Sequence, residues 1–250
     1  MHRFYAPDLT AGGEIVSLPA DEAGHLTRVL RLRTGALVRV FDGRGVEFVA
    51  RVEAASPRKV TVRPLERHTP AIEPRVAVAL AQALLKSDKM DRVLRDAVML
   101  GAAELQPFLC ERTDVPRAAL RSQARRERWE RVVLGSVKQC GRAVVPTVHE
   151  VRDFHELLSG GSARARFMLV EPGNDGGASP SSLNALKLDR QPRPAAATIF
   201  IGPEGGWTTA EVQTAVKARV VPVTMGMRTL RADAAGAAAI AVLQYIWDDL

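Results

Sequence analysis

Two short stretches toward the C-terminus combine residue types that suit ligand chemistry. Gly202-Pro203-Glu204-Gly205-Gly206 follows the apolar run 198–201, and its glycines let a ligand approach the backbone closely. It has neither the G-x-G-x-x-G spacing of a dinucleotide loop nor the Lys-Ser/Thr of a P-loop. On spacing alone a plain tight turn explains it equally well. Met225-Gly226-Met227-Arg228-Thr229-Leu230-Arg231 follows the run 220–223 and carries no acid, two arginines three positions apart, and Asp233 just beyond. Beside a cavity, such apolar residues with free backbone groups suit a flat heterocycle, and the arginines suit a developing anion. Taken singly, Met225, Met227 and Leu230 also read as ordinary core. A third loop, Glu171-Pro172-Gly173, follows the run 167–170.

What must position these loops is an alternation of strands and helices from Arg75 onward. Apolar runs at 76–81, 105–109, 167–170, 198–201 and 220–223 read as strands. Between the first two lies a helix with Met90, Val93, Leu94, Ala97 and Val98 on one face and Gly101 as its C-terminal cap. A long helix is expected over 118–139, with five arginines among its acids. Thr208 and Glu211 form a capping box for a helix to about Ala218, and an Ala-rich helix is expected over 233–247. Residues 173–194, rich in Gly, Ser, Pro and Asn, read as mostly loop. Strands alternating with helices imply a parallel sheet covered on both faces, with ligands beyond the carboxyl ends of its strands. That rule selects the three loops above.

The first seventy residues differ. Short β-branched runs at 37–41, 46–52 and 59–63 are separated by Asp42-Gly43 and Ser56-Pro57. A short helix with Leu26, Val29 and Leu30 on one face and Asp21 as N-cap is expected before them. Together these suggest a small barrel, with Pro64, Pro70 and Pro74 as a linker. Arg28, Arg31, Arg33, Arg39, Arg44, Arg51, Arg58 and Lys59 make this region basic, either as a solvated face or as a surface that tracks phosphates.

Composition narrows the classes further. The 250 residues are 46% hydrophobic and 25% charged, ordinary for a globular chain and unlike a disordered or collagenous one. No apolar run approaches the roughly 18 residues of a membrane helix, and Pro7 and Asp8 interrupt any secretory signal. The two cysteines, Cys110 and Cys140, make no disulfide framework, and the five histidines show no metal-ligand spacing, so a cytoplasmic chain without metal is expected. The net charge of +7 favours a polyanionic partner.

Several stretches together carry a family resemblance: Phe41-Asp42-Gly43, Lys89-Met90-Asp91, Glu111-Arg112, Gln139-Cys140-Gly141-Arg142 with Val145-Pro146, Ile201-Gly202-Pro203-Glu204-Gly205-Gly206, and Leu230-Arg231. Each is weak alone; in this order and spacing across nearly the whole chain they are specific. The chain resembles the SPOUT-class RNA methyltransferases and is most similar to the bacterial enzymes that methylate N3 of a uridine in 16S ribosomal RNA. The resemblance implies a PUA-like RNA-binding β-barrel over residues 1–70 and an α/β SPOUT domain over 75–250 with a C-terminal deep trefoil knot. It also implies a homodimer, 16S ribosomal RNA or the small ribosomal subunit as partner, and S-adenosyl-L-methionine as methyl donor. Backbone groups of the three loops would hold that cofactor: Leu169, Val170 and Glu171, then Ile201, Gly202 and Gly206, then Met225, Gly226 and Leu230. Where the family reads Leu-Arg-x-Glu-Thr-Ala, this chain has Leu230-Arg231-Ala232-Asp233-Ala234-Ala235, a shorter carboxylate and no hydroxyl. Asp96 and Met99 stand where a Lys and a Glu are common.

Uridine N3 becomes a nucleophile only when its proton leaves, so catalysis needs a base or cationic donors for the uridinate. Arg231 and Arg228 are the candidate donors, and Asp233 or Glu204 the candidate proton acceptor, directly or through water. Glu204 reads more readily as structural, accepting backbone N–H bonds. Arg28, Arg31, Arg33 and Arg142 would grip the RNA backbone; Cys140, without a base partner, reads as packing. Two alternatives stay open: a SPOUT enzyme acting on another ribosomal or transfer RNA nucleotide, and a non-catalytic RNA-binding protein. The second needs only the barrel and the basic helix, and the apolar glycine-bearing loops beside paired arginines argue against it.

Overall fold

A computed structural model describes residues 1–10, 14–56, 59–86, 88–115, 123–159, 164–173, 180–183 and 193–249. The chain divides into two compact units. One comprises Met1–Glu73 with Leu134–Val145, the other Pro74–Val133 with Pro146–Leu250. Nothing in the local sequence pattern marks residues 134–145 for the first unit.

In the first unit, β1 (Arg3–Tyr5), β2 (Val16–Ser17), β3 (Leu37–Phe41), β4 (Glu47–Ala55) and β5 (Val60–His68) form one sheet in the order β1-β3-β4-β5-β2. β1 runs parallel to β3 and the other pairs are antiparallel. Alternate residues of β3, β4 and β5 (Val38, Val40, Ala50, Val52, Val60, Val62) turn inward onto Phe4, Leu26 and Leu18. Two expectations need correction. Pro64 lies inside β5 rather than in a linker; it faces Ala50 beside a register shift, the irregular kind of position at which a strand accommodates proline. The short helix is α1 (Ala20–Gly24) running into a π-helical turn, His25–Val29. Pro19, not Asp21, occupies its N-cap, and Val29 is exposed while Leu26 is buried.

One buried ion pair organises this unit. Arg3 gives Nε and Nη2 to the fully buried Glu47 at 3.1 and 2.7 Å. Its remaining hydrogens go to the carbonyls of Val137, Lys138 and Arg142 at 2.8–2.9 Å. These acceptors lie at and just beyond the end of helix α3 (Gln123–Cys140), where carbonyls lack intrahelical partners. Asp42 accepts the amides of Arg44 and Val46, and the Gly43 carbonyl accepts the Val145 amide. The Phe41-Asp42-Gly43 motif is therefore a turn built to seat residues 143–145.

The second unit is a parallel sheet. Its strands are β6 (Ala77–Ala83), β7 (Glu104–Leu109), β8 (Thr147–Val148), β9 (Arg152–Asp153), β10 (Ala165–Leu169), β11 (Ser181–Ser182), β12 (Ala196–Ile201) and β13 (Val221–Thr224). The order is β11-β13-β10-β12-β6-β7-β8, with β9 also on β7. Every expected strand of this unit is present within two residues of its expected ends. The short β11 falls in the stretch read as loop, most of which lies outside the described residues, as does the start of the long helix. Side chains alternate along β6. Ala81 and Ala83 join a cluster with α4 (Phe154–Ser159) and α5 (Thr209–Lys217), whereas Leu80 and Gln82 meet Gly236 of α6 (Ala232–Ile246). A Cβ on Gly236 would lie 3.2 Å from Leu80, so the glycine sets how closely α6 approaches the sheet. Helix α2 (Lys89–Met99) packs beside α6. The capping box at Thr208 and Glu211 is formed, and Gly101, with φ +85°, ends α2 as expected.

Candidate functional site

Register brings the three loops together. Leu169 of β10 stands opposite Ile201 of β12 on one side and Val223 of β13 on the other. The three strands therefore end at one level. After β10 the chain crosses to β11 beyond β13, then returns to β12 and β13 on the two sides of β10, so three strand ends converge at the carboxyl edge where open α/β sheets bind ligands. A cavity of about 530 Å³ opens there, within the range of small-ligand sites.

The lining contains Leu169, Val170, Glu171, Ile201, Gly202, Gly206, Met225 and Leu230 among the positions named for the cofactor. Gly226 alone of that set stays outside it. With φ +83° and open space around its Cα, it serves the turn instead. Arg228, Arg231, Asp233 and Glu204 also line the cavity. Sequence reasoning missed Lys89 and Trp207, which line it too. Lys89 lies far off in sequence, and nothing in the local pattern singles out Trp207.

Trp207 braces the site. Its indole N–H donates to the Leu169 carbonyl at 2.8 Å, and its ring stacks on Phe108 with an interplanar angle of 10°. The next amide, Val170, donates to Val223 at 3.0 Å. The first loop thus leaves the sheet held from both sides, with one acceptor position of the Leu169 carbonyl taken by the indole. A Cβ on Gly202 would sit 3.0 Å from that ring. This glycine is required by the tryptophan before any ligand enters. At Gly206, φ is +67° and a Cβ would meet the Glu171 carboxylate at 3.1 Å.

The charged groups are paired in a definite way. Arg231, the N-cap of α6, donates from Nε and Nη2 to Asp233 at 3.0 Å each. Asp233 is buried, and Arg92 of α2 lies 3.5 Å from its second oxygen. The Arg231 hydrogen bonds hold the Asp233 carboxyl below its ordinary value. An acid so held is a poor proton acceptor, and its geometry fits a clamp that orients the guanidinium. The backbone amides expected to donate to a structural Glu204 are not found among the described residues; instead Lys89 Nζ donates to its Oε1 at 2.9 Å. Arg228 is exposed, and no acid among the described residues pairs with it.

The comparisons with known proteins agree with this geometry. Residues 72–244 match the model of the RNA methyltransferase domain family, and residues 18–65 match that of the RNA methyltransferase PUA domain. The chain belongs to this RNA methyltransferase family. A Synechocystis relative named ribosomal RNA small subunit methyltransferase E is 32% identical over 228 residues, 90% of this chain and 71% of the relative. The crystal structure of the Neisseria gonorrhoeae protein of the same name, bound to S-adenosyl methionine, is 33% identical with a TM-score of 0.84, covering 99% of this chain and 98% of that one. A Legionella pneumophila methyltransferase structure with bound SAM is 26% identical with a TM-score of 0.87, covering 97% and 96%. The resemblance read from the motifs, and the PUA-like unit followed by a parallel α/β domain, are borne out.

Within the PUA-like unit of this RNA methyltransferase, Arg28, Arg31 and Arg33 are exposed between α1 and β3. Arg31 adopts φ +53° there. Arg142 is the exception among the residues expected to grip RNA. It is buried, its guanidinium is bound by Glu73 at 2.5–3.1 Å, and it joins segment 134–145 to the strand-following stretch before Pro74. A side chain so engaged offers no free face to a phosphate. Cys140 is half-buried with Sγ 3.8 Å from the Val137 carbonyl. Burial pushes the Cys110 thiol up to about 11, so that thiol is not a nucleophile at neutral pH. Among the described residues, no helix is long and apolar enough to cross a membrane.

Proposed function

We propose that this protein methylates N3 of a uridine in small-subunit 16S ribosomal RNA, with S-adenosyl-L-methionine as donor. The observation that supports this most is the cavity at the three aligned strand ends, with the Arg231 fork held at its edge by Asp233. The cavity suits the donor in size, in its glycine-lined backbone and in the apolar edges of Met225 and Leu230. When bound, that cofactor supplies an electrophilic methyl group.

This chain's residues then have three tasks. Trp207 and the register of β10 keep the loop backbone in place for an adenine and its sugar. Arg231, with Nη1 outside its pair with Asp233, and the neighbouring Arg228 face the charge that spreads to the uridine carbonyl oxygens as N3 loses its proton. Glu204, which keeps Oε2 outside its pair with Lys89, is the better-placed carboxylate to receive that proton, since both Asp233 oxygens face guanidinium groups. Base pairing hides N3, so the uridine enters extruded from its RNA context. Exposed Arg28, Arg31 and Arg33 of the PUA-like unit supply further phosphate contacts. A homodimer through the C-terminal domain, a knotted C-terminal path and a cytoplasmic location complete this reading.

The deciding experiment is methylation of small subunits from cells lacking this activity, followed by mass mapping of the modified nucleotide. A single N3-methyluridine in 16S ribosomal RNA is expected; a methyl group elsewhere, or none, overturns the reading. Gly202→Val tests the cofactor site separately. Its branched side chain must displace the Trp207 ring and its bond to Leu169. S-adenosyl-L-methionine affinity measured by calorimetry is expected to fall about tenfold or more, in line with one lost buried hydrogen bond plus a shifted wall. Unchanged affinity in a folded variant removes these loops from the cofactor site.

A further inference from the structure

We propose that Lys89 is a phosphate ligand for the RNA substrate, held beside the cavity by Glu204 until a phosphodiester displaces that carboxylate. The inference rests on the functional reading above and deepens it by assigning a substrate contact outside the basic PUA-like unit.

The polar face of α2 carries the argument. Met90, Val93, Leu94, Ala97 and Val98 bury the opposite face. Lys89 and Arg92, three positions apart and so neighbours on one side of the helix, both reach carboxylates of the cavity. Arg92 lies 3.5 Å from Asp233, and Lys89 donates to Glu204 at 2.9 Å. Asp91 points elsewhere and is bound by Arg128 at 2.6 and 2.8 Å. The two pairings differ in burial. Asp233 is 5% exposed and bound by two guanidinium groups, a fixed part of the site. Lys89 and Glu204 are 36% and 39% exposed, and an ion pair so placed is screened by water and contributes little. A phosphate accepting from Nζ replaces it at little cost, and the flexible lysine stem can follow it.

The surrounding charge supports a polyanion at this edge. Lys89, Arg228 and Arg231 all line the cavity. The acids facing them are Glu204, which the lysine neutralises, Asp233, already bound twice, and half-buried Glu171, which packs under Gly206. An extruded nucleotide brings its flanking phosphates to the mouth of the cavity that its base enters. Lys89 is the cation there whose present partner is the more readily exchanged.

Opposite signs in two variants test this. RNA affinity is measured as a function of salt, using protein-free 16S ribosomal RNA, for the full-length wild type, Lys89→Met, Lys89→Arg and Glu204→Gln. Lys89→Met is expected to weaken binding about threefold to tenfold at low salt and to reduce the salt slope by about 0.7, one phosphate contact on a single strand. Glu204→Gln frees the lysine and is expected to tighten binding about twofold to fivefold; Lys89→Arg stays close to wild type. If the pair merely braces the loop, both Glu204→Gln and Lys89→Met weaken binding, and that result overturns the inference. So does an unchanged slope in Lys89→Met. A wild type that binds and methylates the RNA while the variants fail these tests leaves the functional reading standing. A wild type that does not bind RNA removes both.

Discussion

Arg231→Ala is expected to cut single-turnover methylation by about 10² to 10³ while S-adenosyl-L-methionine affinity changes by no more than a few-fold. That is the usual cost of losing one preorganised donor at a developing anion. The geometry explains why the donor counts as preorganised. Two of its nitrogens are fixed on Asp233, whose own position is set by burial in the first turn of α6 and by Arg92. The guanidinium therefore needs no reorientation as charge develops. Lysine cannot copy the two-point attachment, so Arg231→Lys is expected to recover little of the loss. Asp233→Asn keeps the arginine but weakens its hold, and a smaller fall in rate is expected, with affinity again nearly unchanged. Rapid-quench measurement at saturating RNA and cofactor separates chemistry from binding. If Arg231→Ala loses affinity and rate in step, the pair is a structural staple of the loop. Wild-type turnover would remove Arg231 from the mechanism.

The second large effect concerns folding. Arg3→Met is expected to destabilise the PUA-like unit by about 3–5 kcal/mol, because Glu47 is then left charged and fully buried. The carbonyls at the end of α3 lose their donor as well. Arg39 lies 3.6 Å from Glu47 and offsets part of the loss, which places the expected value toward the lower end of that range. The double variant Arg3→Met with Glu47→Leu is expected to regain much of the stability, since no unpaired charge remains. Calorimetric or denaturant unfolding that resolves the two units checks both. An Arg3→Met protein that melts within a degree or two of wild type would show that the pair contributes little.

What could be read from the residues alone was local. β3 was delimited to the residue by its β-branched run, and β6, β7, β10, β12 and β13 followed from short apolar stretches. The capping box at Thr208 and the Gly101 terminus follow from contacts only a few residues apart. The strand ends then singled out three loops, and the motifs singled out the family. The deep knot implied by that family has no local signature, and connection rules alone argue against one.

The tertiary structure decided what those elements face. Arg28, Arg31 and Arg33 are exposed, yet Arg142 is bound to Glu73 and buried, although all four are arginines in basic surroundings. Lys89 meets Glu204 across 115 positions, and Arg3 meets Glu47 and the end of α3 across 44 and more. β1, too short to show a period, is placed by pairing with β3, and Trp207 becomes a wall of the site through an acceptor 38 residues away. Periodicity and caps arise from forces between near neighbours along the chain, so residue order alone reveals them. Whether a charged side chain ends in water, on a carboxylate or beside a cavity depends on which distant segments the sheet order brings together, and that order is set only when the whole core packs.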